Sequence, residues 1–189
     1  MRYAKDHKAE TRKHLLETSG ALAKEKGFAS TGVDAFVGEA GLTSGAFYSH
    51  FGSKAELFTE LVESELAASV NMFADNAPEL PTDQWITRQL KTYLHWKHVQ
   101  NPRTGCALPA LGAEIARSND ATKIKYEEAI KQVHALWKNR LGDDKAAWAV
   151  VSQLVGSLVL ARASSSEDLA KEILAASQEF LEKALDGHI

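Results

Sequence analysis

Tyr48, Ser49, His50 and Lys54 place four polar or charged side chains close together, and Ser44, Gly45 and Ala46 stand immediately before them. Hydroxyl, phenol, imidazole and ammonium groups donate hydrogen bonds to phosphate oxygens. Small residues let a backbone approach base edges closely. The chemistry this suggests is recognition of a nucleic acid, provided that a rigid element presents the group to solvent.

The flanking residues predict that element. Val33, Phe36, Val37 and Ala40 recur at helical spacing, so 32–40 reads as a short amphipathic helix. Thr31 and Asp34 are expected to cap it, and Gly41 to end it, since glycine enters the left-handed region without steric cost. Thr43 is expected to cap a second short helix, with Ala46, Phe47 and Phe51 inward and Ser44, Gly45, Tyr48, Ser49 and His50 outward. Two short helices joined by a tight glycine turn make a helix-turn-helix, whose second helix fits the major groove of DNA. Lys54 adds charge at the start of a third helix, capped by Ser53 and Glu56.

The tract Gly41-Leu-Thr-Ser-Gly-Ala-Phe-Tyr-Ser-His-Phe-Gly-Ser-Lys54 resembles the DNA-binding domain of the TetR family of bacterial transcriptional regulators. The stretches Lys8–Leu16 and Lys26–Val33 are similar to that family's first helix and the turn after it. The resemblance covers roughly the first third of the chain and is architectural beyond it. It implies DNA contacts from Thr31, Thr43, Ser44, Gly45, Ala46, Tyr48, Ser49, His50 and Lys54.

The chain has 189 residues, 44% of them hydrophobic, which suffices to fill a core. Its net charge of −3 argues against a general polyanion binder, but the charge is unevenly distributed. Residues 1–54 carry eight Lys or Arg against six Asp or Glu, whereas 55–189 carry fourteen against nineteen. The first thirteen residues hold five basic and two acidic side chains, which suits an arm beside a phosphate backbone or a solvated helix start. One cysteine permits no internal disulfide and suits a reducing compartment. The N-terminus lacks an apolar leader, and the most apolar run, 146–161, is interrupted by polar residues and short for a bilayer. The expectation is a cytoplasmic protein with no membrane segment.

No strand-like alternation occurs, and the breakers leave nine helices: 8–26, 32–40, 43–51, 53–77, 82–98, 108–118, 120–141, 144–163 and 166–185. The expected fold is all-α, with a helix-turn-helix domain at 1–54 and a larger helical domain for ligand binding and dimerisation at 55–189. The penultimate helix is apolar nearly all round. Either its own chain covers it, or Trp148, Val151, Leu154, Val155 and Leu158 meet a second copy in the four-helix arrangement that the resemblance implies.

The middle helices are rich in aromatic residues, which form either a plain core or, as the resemblance implies, a cavity for an apolar inducer. Candidate lining residues are Met72, Phe73, Trp96, Cys106, Leu111, His134 and Trp137. Cys106 is expected at or just before a helix start near Pro109, where exposed amides favour thiolate. It is either a packed apolar residue or a reactive sensor of electrophiles and oxidants. His95, His98 and Cys106 match no standard metal spacing, and no cofactor is expected.

Nucleotide loops, Gly-x-Ser-x-Gly and His-Glu-x-x-His are all missing from the sequence, so the chain does not read as an enzyme. The expected function is transcriptional repression, with an operator duplex, an inducer and a second copy of the chain as partners. The alternatives are a regulator switched through the Cys106 thiol and a helical protein-interaction module that does not bind DNA.

Overall fold

The structure is a computed structural model that describes residues 2–74 and 78–186, with side chains from residue 7 onward. Among the described residues every regular element is a helix. In chain order these are α1 (Arg2–Lys26), α2 (Val33–Glu39), α3 (Ser44–His50), α4 (Lys54–Phe73), α5 (Thr82–Tyr93) and α6 (Trp96–Gln100). A 3-10 turn (Pro102–Thr104) then precedes α7 (Leu108–Ile115), α8 (Asp120–Leu141), α9 (Asp144–Ala163) and α10 (Glu167–Leu185).

All nine expected helices are present, with several corrected boundaries. The first begins at Arg2 rather than Lys8, so the basic start of the chain is helical. The expected helix 82–98 breaks at Leu94, and α6 restarts after His95, whose Nδ1 accepts from the Lys97 amide at 3.1 Å. Ser166 caps α10 by accepting from the Leu169 amide. The expected end of the fourth helix near Ala77 lies outside the described residues. Gly41 (φ +66°) and Gly142 (φ +69°) end α2 and α8 in the left-handed region, as their positions predict.

The chain divides into two compact units. One comprises Met1–Ala68 and Pro102–Glu127, the other Ser69–Asn101 and Glu128–Ile189. The unit that carries the helix-turn-helix therefore also takes in the 3-10 turn, α7 and the first part of α8.

In the first unit, α2 and α3 have seven residues each, too short to persist in water alone. Aromatic burial holds them. Phe28 stacks on Phe36 with ring centroids 5.1 Å apart and lies tilted against Phe58 at 4.5 Å, and Phe47 lies 5.8 Å from Phe51. Phe36 and Phe47 are completely buried, each contributing about 2–3 kcal/mol of apolar transfer. Leu15, Leu22, Leu57 and Leu61 close the core from α1 and α4.

In the second unit, Trp85 of α5 packs edge-on against Trp137 of α8 at 4.8 Å, and Phe73 stacks on Tyr93 at 4.9 Å. The Arg140 guanidinium sits 5.2 Å above the Trp85 ring and donates to the Leu80 carbonyl at 2.9 Å. Helices α9 and α10 pack along their length, with the Ser157 and Ser177 hydroxyls 2.7 Å apart. Gln153 donates to the same Ser177 oxygen at 3.2 Å. Asp143 caps α9, accepting from the amides of Lys145 and Ala146.

Helix α9, twenty residues long, is the one described helix whose length and composition alone would suffice to cross a membrane, a test that the core helix of a soluble protein also passes. Its buried arc, Val150, Val151, Leu154, Ser157, Leu158 and Ala161, faces the interior of its own chain. This corrects three residues expected at a subunit contact. Val151, Leu154 and Leu158 are core positions, while Trp148, Val159 and Leu160 point outward and Val155 is half-buried. Because Leu154 is fully buried, Leu154→Ala is expected to cost about 2–5 kcal/mol. Thermal denaturation should show a lowered Tm at every protein concentration; a Tm restored at high concentration would place Leu154 at an association surface.

Candidate nucleic-acid interface

Helix α3 is presented by its inward face. Phe47 anchors it, and after the turn at Gly41 the Leu42 amide donates to the Val37 carbonyl at 2.7 Å, tying the entry of α3 to α2. A second tie runs from the Ser44 hydroxyl to Asp34 Oδ1 at 2.6 Å. Thr43 occupies the N-cap position as expected, but its side chain makes no capping bond, so the first amides of α3 keep no side-chain acceptor there. Ser53 and Glu56 do cap α4: the Glu56 amide donates to Ser53 Oγ at 3.1 Å, and the Gly52 amide to Glu56 Oε2 at 2.8 Å.

The residues expected to face outward are exposed to different degrees. Tyr48 is 65% exposed, its ring edge-on to Phe47 at 5.1 Å, so the core side of α3 orients it. Ser44, Gly45 and Ser49 are exposed, and Ala46 and His50 are half-buried. The Ser49 hydroxyl donates to the Ala46 carbonyl of its own helix at 2.7 Å. At Gly45 an added Cβ would meet only Thr43 Oγ1, at 3.9 Å, and φ is not positive. Neither packing nor backbone geometry therefore requires glycine there.

Two expected residues have different roles in the structure. Thr31 is buried, and its hydroxyl donates to the Gly27 carbonyl at 2.6 Å; Gly32 occupies the N-cap of α2 with no side-chain bond. The expected Thr31–Asp34 capping box is absent, because each side chain has another partner. Lys54 is half-buried. Its ammonium donates to the Ala29 carbonyl at 3.1 Å and lies 4.9 Å from the centre of the Phe28 ring, leaving two of its three protons for another acceptor.

His50 sits beside Lys8 and Arg12 of α1. Burial, and then those two cations, hold its pKa below the usual histidine value. Its Nδ1 is buried with no hydrogen-bond partner. Lys8 and Arg12 belong to the basic start of the chain, and their i, i+4 spacing, which puts them on one helix face, is the signal that singles them out from it. Arg12 also pairs with Glu60 and lies 4.5 Å from the centre of the Phe51 ring.

The residues expected to line a ligand cavity divide between the units. Phe73, Trp137 and His134 are buried in the second, with Met72 exposed and Trp96 half-buried; Cys106 and Leu111 are buried in the first. His134 is tied to α9. Its Nε2 lies 3.0 Å from the Asp144 carbonyl, and its ring stacks on Trp148 at 4.1 Å. Lys138 pairs with the same Asp144 at 2.8 Å and holds that carboxyl below the usual range. Two surface pockets, one on the outer face of α5 and one where α5 meets the end of α10, are lined by none of these seven residues.

Cys106 precedes α7, as expected from Pro109, and is completely buried, which fits a packed residue. Burial, and then the nearby Cys106, push the Tyr126 phenol up. Among the described residues, no three His, Cys, Asp or Glu side chains converge as a metal site.

A family model described as bacterial regulatory proteins, tetR family, matches residues 15–61, which run from α1 through the helix-turn-helix into α4. The chain is 39% identical over 62 residues to the HTH-type transcriptional regulator AcrR of Shigella flexneri, covering 33% of this chain and 29% of that protein. It is 37% identical over 84 residues to the uncharacterized HTH-type transcriptional regulator YerO of Bacillus subtilis (strain 168), covering 43% of this chain and again 29% of the relative. The match thus spans under a third of either relative.

Two solved structures share the fold over nearly the whole chain. One is Escherichia coli NemR in its reduced form, with TM-score 0.78, 20% identity, and 92% of this chain and 96% of that one covered. The other is a TetR transcriptional regulator from Chloroflexus aurantiacus J-10-FL, with TM-score 0.79, 20% identity, and 97% and 96% covered.

The His50 environment gives a pH dependence. With the folded pKa below the unfolded value of about 6.5, the unfolded chain takes up the proton first. The contribution of neutral His50 to stability is therefore present above about pH 6.5 and lost as pH falls through the folded value. His50→Gln should lose less Tm than the wild type between about pH 7 and pH 5.5 in parallel thermal melts. Equal losses would mean that the ring is not held neutral.

Proposed function

We propose that this chain, whose residues 15–61 match the tetR family model, is a homodimeric transcriptional repressor of that family. In this reading it binds a palindromic operator and is released when a small apolar molecule enters the C-terminal domain. The observation that carries the DNA-binding part is the face of α3: exposed Ser44, Gly45, Tyr48 and Ser49 on a helix anchored by Phe47, beside the cations Lys8 and Arg12. Tyr48 and Lys54 supply phosphate contacts that fix register, while Ser44 and Gly45 bring the helix start to base edges. Arginine and lysine near phosphates release counterions on binding, so affinity falls steeply with salt.

One short helix reads too few base pairs to be selective, and a second copy supplies the rest. The outward arcs of α9 and α10 support such a pairing. Leu169, Ile173, Ala176 and Phe180 recur at i, i+4, i+7 and i+11 on α10, and Phe180 is 62% exposed. On α9 the neighbouring arc holds Trp148, Val155, Gly156, Val159 and Leu160. A contiguous apolar surface of this kind is costly in water and is removed when two copies form a four-helix bundle. Cytoplasmic residence follows from the same reading.

The proposed apolar ligand would enter among Phe73, Trp85, Tyr93 and Trp137, whose side chains are all buried. Release requires that ligand to bind more tightly to the conformation whose heads no longer fit adjacent grooves.

Two experiments test these proposals. In a mobility-shift assay the wild type should retard one palindromic fragment with strong salt dependence. Tyr48→Ala should weaken binding to all sequences, whereas Gly45→Ala should change which sequence wins without lowering Tm, since alanine favours a helix by about 1 kcal/mol. Unchanged binding in both variants would count against α3 as the reading element. In sedimentation, Phe180→Glu should shift the wild-type dimer to a single-chain mass; a wild type already at that mass refutes the pairing.

A further inference from the structure

Two side chains from the segment 102–115 hold α2 and the turn that leads into it. Arg103, in the 3-10 turn, donates through one guanidinium nitrogen to Glu25 of α1 at 2.8 Å and through another to Glu39, the last residue of α2. Glu114 of α7 accepts from two consecutive backbone amides, Phe28 at 2.9 Å and Ala29 at 3.0 Å, in the turn that joins α1 to α2. Lys24, ion-paired to Glu65 at 2.6 Å, also donates to the Gly105 carbonyl at 3.1 Å. All of these groups belong to the first compact unit.

The turn depends on these contacts. It starts at Gly27, whose φ of +81° belongs to glycine, and the Phe28 and Ala29 amides both point to the Glu114 carboxylate. The Ala29 carbonyl, in turn, takes the Lys54 ammonium. The guanidinium fork suits Arg103 to bridging two carboxylates, and they hold its pKa above even the usual arginine value. Remove it, and Glu25 and Glu39 become neighbouring like charges on separate helices. The pose of α2 then passes to α3 through the Ser44–Asp34 and Leu42–Val37 hydrogen bonds.

We propose that Arg103 and Glu114 are positioning residues for DNA reading, holding α2 and hence α3 in the reading pose, so that displacing the segment 102–115 weakens DNA binding. Neither residue touches DNA in this scheme. The inference rests on the DNA-binding function proposed above.

The test uses the full-length chain and a palindromic fragment that the wild type selects from a random-sequence pool. Arg103→Gln should bind that fragment roughly tenfold more weakly, with the wild-type slope of affinity against salt, because no phosphate contact is lost. Arg103→Lys, which keeps the charge but one bond at a time, should fall between them and covers the case in which the glutamine variant folds poorly. Adding Glu39→Gln to Arg103→Gln should recover part of the loss by removing the repulsion with Glu25. Glu114→Gln keeps one acceptor oxygen and turns an amide group toward the second N–H, so Phe28 and Ala29 should exchange hydrogen faster in the free protein while the bulk of the core does not.

A salt slope smaller by about one unit in Arg103→Gln would make Arg103 a phosphate contact and overturn the positioning role. Wild-type affinity in both Arg103→Gln and Glu114→Gln would overturn it while leaving DNA binding intact. A wild type that selects no fragment would overturn the DNA-binding proposal, and this inference with it.

Discussion

Two seven-residue helices cannot hold their own shape in water, and everything attributed to the reading face depends on the aromatic core that holds them. Phe47 is the keystone of α3, while Phe36, stacked on Phe28, holds α2 against α4 through Phe58. The rim of this core binds charge: Arg12 lies over Phe51 and Lys54 over Phe28, so cations gather around the reading helix partly because the aromatic faces beneath attract them. The same packing that stabilises the helix pair thus also draws cations to its rim, one of them, Arg12, paired with Glu60.

Much of this was legible in the sequence because local rules govern it. The period of Val33, Phe36 and Val37, the left-handed glycines and the Ser53–Glu56 cap each involve residues within a few positions of one another. The misreadings arise where distant partners compete. Thr31 and Asp34 have the spacing of a cap, but Gly27 and Ser44 offer these side chains better geometry. Arg103 and Glu114 lie 64 and 86 residues from groups they bind, and no periodicity or motif signals those bonds.

Helix α9 shows a different limit. Its composition demanded cover on nearly every side, but composition does not say which arc α10 takes. The polar cluster of Gln153, Ser157 and Ser177 turns one arc inward, taking Val151, Leu154 and Leu158 with it and leaving Val159 and Leu160 outside. An apolar surface shared by two adjacent helices is what connects the polar reading face to the proposal of a two-headed molecule, since the spacing of the heads has meaning only if two chains join.

Hydroxyl-radical footprinting of the full-length protein on its selected fragment tests that picture most directly. Two protected patches on one face of the duplex, centred about one helical turn, or roughly 34 Å, apart, are the predicted result. A single protected patch, or uniform protection without phase, would contradict it.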